Sequence, residues 1–199
     1  MTRDKITIDY YENNAESFTQ GTLDVDFTDV QDWFLDYIPE CGRILDFGCG
    51  SGRDTAYFLK KGYMVDAIDG SEKLCKIASD NTGIDVKHML FQELDAFDEY
   101  DGIWACASII HLPKETLKIV FKKMICAIKP AGHIYVSFKY GDFEGYRNDR
   151  YFADFEEESF ASFVNAFPEV SIMAEKVTAD VRPGRQNEKW LNVILKIVE

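Results

Sequence analysis

With 199 residues, 46% of them apolar and 14% aromatic, the chain can build one α/β core and is too short for two. A formal net charge of −13 argues against holding nucleic acid by general phosphate neutralisation. It fits a soluble protein with a small-molecule substrate. The five cysteines are odd in number and lack CxxC spacing, which speaks against a disulfide framework or a zinc site and for reduced thiols in a cytoplasm.

The N-terminus, MTRDKITIDYYENN, has no apolar signal-like region, and no apolar run reaches the roughly 18 residues a membrane span needs. The expectation is a cytoplasmic protein, not membrane-spanning, monomeric or weakly dimeric. In chain order, Asp9–Phe18 reads as a short helix. A second helix carries the stripe Val30, Phe34, Tyr37, Ile38, opened by a capping box at Thr28 and Gln31 and ended by Pro39 and Gly42.

From residue 43 onward, strand and helix patterns alternate, as in a parallel sheet flanked by helices. Strand one is Ile44–Asp46, and a helix running from Arg53 to Gly62 follows a glycine turn. Strand two is Met64–Asp69, with Ser71 capping a helix over Glu72–Ser79. Val86–Leu90 and Gly102–Ala107 are strands three and four. A long helix follows Pro113, broken at Pro130–Gly132, and His133–Phe138 is strand five. Residues 141–158 read as an acidic loop covering a site, and Phe160–Phe167 as helix. Ser171–Thr178 and Trp190–Val198 have no helix between them and should pair antiparallel.

The most informative stretch is Arg43–Asp54, RILDFGCGSGRD: a strand ending in an acid, then Gly48-Cys49-Gly50-Ser51-Gly52, then helix. Such a turn lets the backbone pass close to a nucleotide-like cofactor at a helix N-terminus. Cys49 reads as a small turn residue, since no His is near it in sequence to activate a nucleophile. Asp69, at the tip of strand two, is placed to accept two hydrogen bonds from a ribose diol; the alternative is a cap for the next helix. A nicotinamide dehydrogenase shares the glycine turn and the distant acid, but its fingerprint is GxGxxG, where this chain has GxGxG.

These features, with YDGIWACASIIHLP (100–113), SFKYG (137–141) and DVRPGR…EKWLNVIL (180–195), resemble the class I S-adenosylmethionine-dependent methyltransferases. The likeness is strongest to a small bacterial group often classed with tellurite-resistance methyltransferases. The resemblance implies a single Rossmann-like domain with a seven-stranded sheet, order 3-2-1-4-5-7-6, strand seven antiparallel, and helices on both faces. Residues 1–42 would cover the cofactor site, 43–140 form the cofactor-binding core, and 141–199 form the substrate side. It implies S-adenosyl-L-methionine as cofactor and S-adenosyl-L-homocysteine as product.

On the matching positions it implies Asp46 near the cofactor's amino group, the alternative being a buried turn-former, with Gly48, Cys49, Gly50, Gly52, Gly70 and Ser71 around it. Gln92, Glu93 and Leu94 would sit at the adenine, although the commoner Asp is missing from that turn. Ala107 and Ser108 follow strand four near the transferred methyl, and His111 is the base candidate, since imidazole titrates near neutrality. Its alternative is a packing histidine. Tyr10 and Tyr11 resemble an aromatic pair that closes over the cofactor, Tyr11 being placed with the catalytic group. Arg53 could reach the cofactor carboxylate.

Lys139, Tyr140, Arg147, Arg150, Arg182, Arg185, Lys189 and Trp190 form a basic cluster in an acidic chain. That suggests an anionic substrate group, unless the cations pair with the acids of 142–158. A tRNA or protein methyltransferase, or a non-catalytic cofactor-binding relative, are the other readings.

Overall fold

The computed structural model describes residues 3–198. Seven strands form one sheet: β1 Arg43–Phe47, β2 Met64–Asp69, β3 Lys87–His88, β4 Tyr100–Ala105, β5 Ile128–Lys139, β8 Val170–Ala179 and β9 Lys189–Ile197. Their order is β3-β2-β1-β4-β5-β9-β8. The first five run parallel, and β9 is antiparallel to both β5 and β8. The expected order is found, with β9 and β8 as its seventh and sixth strands.

Alternation along the strands sorts the two faces. Leu45, Ile103, Ile134, Val136, Val193 and Leu195 point into one core. That core is covered by α5 (Lys114–Ala127), through Leu117, Phe121 and Met124, and by α6 (Glu157–Val164), through Phe160 and Phe163. Ile44, Trp104, Tyr135 and Ile194 point the other way, against Val30 and Phe34 of α2 (Thr28–Leu35) and Phe58 of α3 (Arg53–Lys60). At the centre Trp104 and Tyr135 stack with centroids 3.9 Å apart.

Several local expectations need correction. The N-terminal helix α1 runs Arg3–Thr22, with a kink at Asn14 (φ −118°, ψ 16°), where the Asn14 amide donates to the Tyr10 carbonyl at 2.8 Å. Helix α2 has no capping box: Thr28 bonds Asp26, and Gln31 is buried against Asp54. Strand β3 is only two residues long. The segment 141–158, read as a loop, holds a hairpin of β6 (Glu144–Arg147) and β7 (Arg150–Ala153). Its two-residue turn, Asn148-Asp149, has both φ angles positive, the primed geometry that asparagine and aspartate tolerate. The remaining helix, α4, spans Glu72–Thr82 and is capped by Ser71 as expected.

Candidate active site

The carboxyl ends of the strands open on one cavity of about 240 Å³, walled by α1, the β1–α3 turn, the ends of β2 and β4, β7 and the start of β9. Its donor-side wall is backbone. Gly48 and Cys49 N–H groups both donate to the Ile68 carbonyl at 3.0 Å, which folds the turn back onto β2. Gly50 has φ +57°, and a Cβ there would come within 3.0 Å of the Phe18 ring, so the turn and α1 meet only because this residue is glycine.

Asp69 lines the cavity and accepts the Gly50 N–H at 2.9 Å and the Ser71 N–H at 2.9 Å, one on each oxygen. Burial raises its pKa, and the backbone N–H groups of Ser71, Gly50 and Gly70 pull it back. Ser71 in turn accepts the Leu74 N–H as cap of α4 and donates its hydroxyl to Glu12 of α1 at 2.7 Å. Gly70 also lines the wall.

Arg53 lies at the cavity floor, its guanidinium bidentate on Asp54 (2.7 and 2.9 Å) and over the Phe27 ring at 4.7 Å. Asp54 further accepts the Trp104 indole N–H at 2.8 Å and the Gln31 amide at 2.7 Å. Burial alone would push the Asp54 carboxyl up, but Arg53 and these donors hold it below the usual range. Sequence reasoning missed Asp54. The signal was an acid inside a helix that begins beside a strand rich in aromatics.

Asp46 departs from expectation. It is 2% exposed, off the cavity wall, and accepts the Thr55 hydroxyl at 2.6 Å. Burial and then the neighbouring Asp54 raise its pKa. It shares the strand face of Ile44, so it points under α3 and away from the cavity.

Other expected residues also lie off the wall. Gly52 opens α3 with φ +84° against Ala78 and Thr82 of α4. Glu93 accepts the Leu90 N–H at 2.8 Å in a single 3₁₀ turn, Phe91–Glu93, and Leu94 turns into the α5 core. The cavity wall there is instead Met89, Leu90, Phe91 and Gln92. Tyr10 and Tyr11 are about 100° apart around a helix, so only one can face inward; Tyr11 does, and Tyr10 packs against Arg150. Tyr140 lies outside, its hydroxyl on Glu157 at 2.9 Å.

On the acceptor side, His111 is 8% exposed in the 3₁₀ turn Ile109–His111 after β4, beside Ala107 and Ser108, which also line the cavity. Its Nδ1 is 2.6 Å from the Tyr151 carbonyl and its Nε2 is 2.7 Å from the Tyr11 hydroxyl. A carbonyl only accepts, so Nδ1 carries the proton and Nε2 accepts from Tyr11. Burial drives the imidazole pKa down to about 4, helped by the Arg150 charge and opposed by the Tyr151 bond. Burial raises the Tyr11 pKa, with Arg150 opposing.

The cations of this wall are mostly neutralised. Lys139 pairs with Glu188, and Arg185 lies 3.8 Å from the same carboxylate. Arg182 pairs with Asp180 at 2.5 Å, and Asp180 also accepts the Trp190 indole N–H at 3.0 Å. Arg147 is bidentate on Asp154, within the acidic segment. Arg150 lines the cavity and has no carboxylate partner among the described residues. Asn192 and Ser137, both missed, complete this wall; Asn192 accepts the Tyr135 hydroxyl at 2.7 Å. Among the described residues no cluster of side chains suits a metal, and no helix is long and apolar enough to cross a membrane.

Residues 44–132 match a family model described as a methyltransferase domain. The protein YqeM of Bacillus subtilis (strain 168) is 28% identical over 137 residues, 63% of this chain and 54% of YqeM. The chain spans about half the length of the curated relatives it matches. The 1,6-didemethyltoxoflavin-N1-methyltransferase of Burkholderia thailandensis has been solved with 1,6-didemethyltoxoflavin and S-adenosylhomocysteine bound. It superposes with a TM-score of 0.78 at 20% identity, over 99% of this chain and 87% of that one. The N-methyltransferase NodS of Bradyrhizobium japonicum WM9, in complex with S-adenosyl-l-homocysteine, gives 0.76 at 14% identity, over 97% and 99%. Identities at this level speak to fold rather than to activity. The chain therefore has the Rossmann-like fold seen in the solved methyltransferases, and its residues 44–132 match a methyltransferase-domain model.

Proposed function

We propose that this chain is an S-adenosylmethionine-dependent methyltransferase acting on a small molecule with an anionic group. The observation that carries the reading is one cavity that joins a glycine turn and Asp69 on one wall to the Tyr11–His111 pair on the other. The cavity residues fit the cofactor. Asp69 keeps lone pairs beyond its two backbone bonds for a ribose diol, and the Gly48–Ser51 backbone suits the methionine portion. Arg53, bidentate on Asp54, puts an ion pair on the floor, and Met89, Leu90 and Phe91 offer an apolar rim for adenine. When bound, the cofactor supplies a methyl group already activated by a sulfonium.

The chain's own residues then orient the acceptor and move its proton. An acceptor atom hydrogen-bonded to the Tyr11 hydroxyl gives up its proton to Tyr11 as Tyr11 passes its own to Nε2 of His111. The Tyr151 carbonyl fixes the tautomer that leaves Nε2 open. Burial keeps the imidazole neutral and ready, and in exchange makes it a weak base, matched to a transfer driven by loss of a sulfonium charge.

An acceptor of small size is supported by the walled cavity and by the ion pairing that removes most free cations from its mouth. It is also the kind of molecule that the Burkholderia thailandensis protein holds. The stretches 100–113, 137–141 and 180–195 favour the tellurite-resistance-like group as the finer assignment. Titration calorimetry tests the cofactor: S-adenosylhomocysteine binds at micromolar affinity and NAD does not. Tight NAD binding, or no binding of S-adenosylhomocysteine, overturns the reading. Transfer of tritiated methyl to components of a metabolite extract tests the catalysis.

A further inference from the structure

Arg150 stands apart from every other cation on the acceptor wall. Lys139, Arg182 and Arg185 each face a carboxylate, as does Arg147 off the cavity wall, and Arg53 on the floor is bidentate on Asp54. Arg150 instead lies over three aromatic rings, Tyr10 at 4.5 Å, Phe152 at 5.3 Å and Tyr11 at 5.9 Å. Rings attract the cation but accept little from its in-plane N–H groups. Its Nε is buried without a hydrogen-bond partner. Its Nη1 makes one long contact, to the Tyr11 hydroxyl at 3.5 Å.

A half-buried guanidinium with a buried, unpartnered Nε is completed by an oxyanion brought in by a ligand. One positive charge balances a carboxylate; a phosphate dianion wants a second cation, and the second cations here are already paired. The same contact sets a distance. A carboxylate on Arg150 and an acceptor atom on the Tyr11 hydroxyl, each at about 3 Å, fit within one small molecule.

Resting on the methyltransferase reading above, we infer that the acceptor is a small carboxylic acid, bound through Arg150, with its methylated atom at the Tyr11 hydroxyl. Alpha-amino acids, alpha-hydroxy acids and hydroxybenzoates are acids of that size. Arg150 is then the residue that selects the substrate, and Lys139, Arg182 and Arg185, each beside a carboxylate, are structural. A carboxylate there also shields His111 from the Arg150 charge, so docking an acid favours proton uptake where it is needed.

The test uses the full chain saturated with S-adenosylhomocysteine and calorimetric titration with glycine, lactate and salicylate, their amides, and inorganic phosphate. At least one acid is expected to bind ten or more times as tightly as its amide, by about tenfold per 1.4 kcal/mol. Arg150→Gln abolishes the preference while S-adenosylhomocysteine affinity stays within about twofold, and Arg150→Lys keeps part of it. The inference is overturned if no acid binds, if acid and amide bind alike, if phosphate outcompetes every acid, or if Arg150→Gln retains the preference. Should Arg150→Gln fail to fold, the same comparison in Arg150→Lys decides: an undiminished preference overturns the inference. A wild-type protein that does not bind S-adenosylhomocysteine fails the methyltransferase reading itself, a separate result.

Discussion

The two walls of the cavity solve the same problem in opposite ways. On the donor wall the one carboxylate in view, Asp69, is held by backbone N–H groups two and nineteen residues away, so it is oriented without being neutralised. On the acceptor wall, side chains are held by other side chains. Tyr11 reaches His111 across 100 residues, and cations are matched to acids with Arg150 left over. A site can keep a charge available either by fixing it with dipoles or by leaving it unmatched, and this chain does one on each side.

The largest expected effect separates chemistry from binding. His111→Gln should lower kcat by about 10²–10⁴-fold, with S-adenosylhomocysteine affinity unchanged in calorimetry. If affinity falls with kcat, the walls are not independent. The wild-type pH profile sharpens the point. With the folded imidazole at about 4 instead of its ordinary 6.5, the proton-accepting form survives as pH falls. Hence kcat/KM should hold down to about pH 6 and fade only as the folded value is approached. An acid limb centred near the ordinary value would remove His111 as a buried base.

Next comes the floor shared by both walls. Asp54→Ala strands the Arg53 charge, the Trp104 N–H and the Gln31 amide, and should cost about 3–5 kcal/mol in denaturant unfolding. A loss under about 1 kcal/mol would mean the floor relaxes and the walls are coupled loosely. Asp69→Ala should weaken S-adenosylhomocysteine by at least about tenfold; equal affinity would remove the ribose assignment. The smallest effect is the sharpest discriminator on the acceptor side. Arg185 is half exposed and loosely paired, so Arg185→Ala should leave KM within about twofold. A large rise would mean the cluster acts jointly, and the contrast between matched and unmatched cations would fail.

The donor wall was legible because its parts are local. Gly48–Gly52 and Asp69 sit at strand ends whose apolar runs are plain, and one spacing relates them. Asp46 was misplaced for a reason equally local: two-residue alternation ties it to Ile44, and the motif alone does not say which face of β1 meets the cavity. Leu94 and Glu93 were displaced by a 3₁₀ turn that no periodicity announced. The acceptor wall was legible only as a list of residue types. Which cation remains unpaired depends on a hairpin read as loop, with the Asn148-Asp149 turn as its faint signal, and on partners distant along the chain. The seven-stranded order followed from resemblance, and the antiparallel end from the missing helix before β9.

The kink in α1 has a kinetic consequence. The half before Asn14 is fastened to three neighbours: Tyr11 to His111, Glu12 to Ser71, and Thr7 to the Tyr151 N–H. In the half after it, Thr19 and Thr22 return their hydroxyls to the helix's own carbonyls, and Phe18 meets the glycine turn and Tyr11 only through its ring. Opening the first half breaks hydrogen bonds in the proton-transfer pair; opening the second breaks apolar contacts alone. Opening is thereby cheapest at the Phe18 end, a segment whose motion leaves the Tyr11–His111 contact assembled.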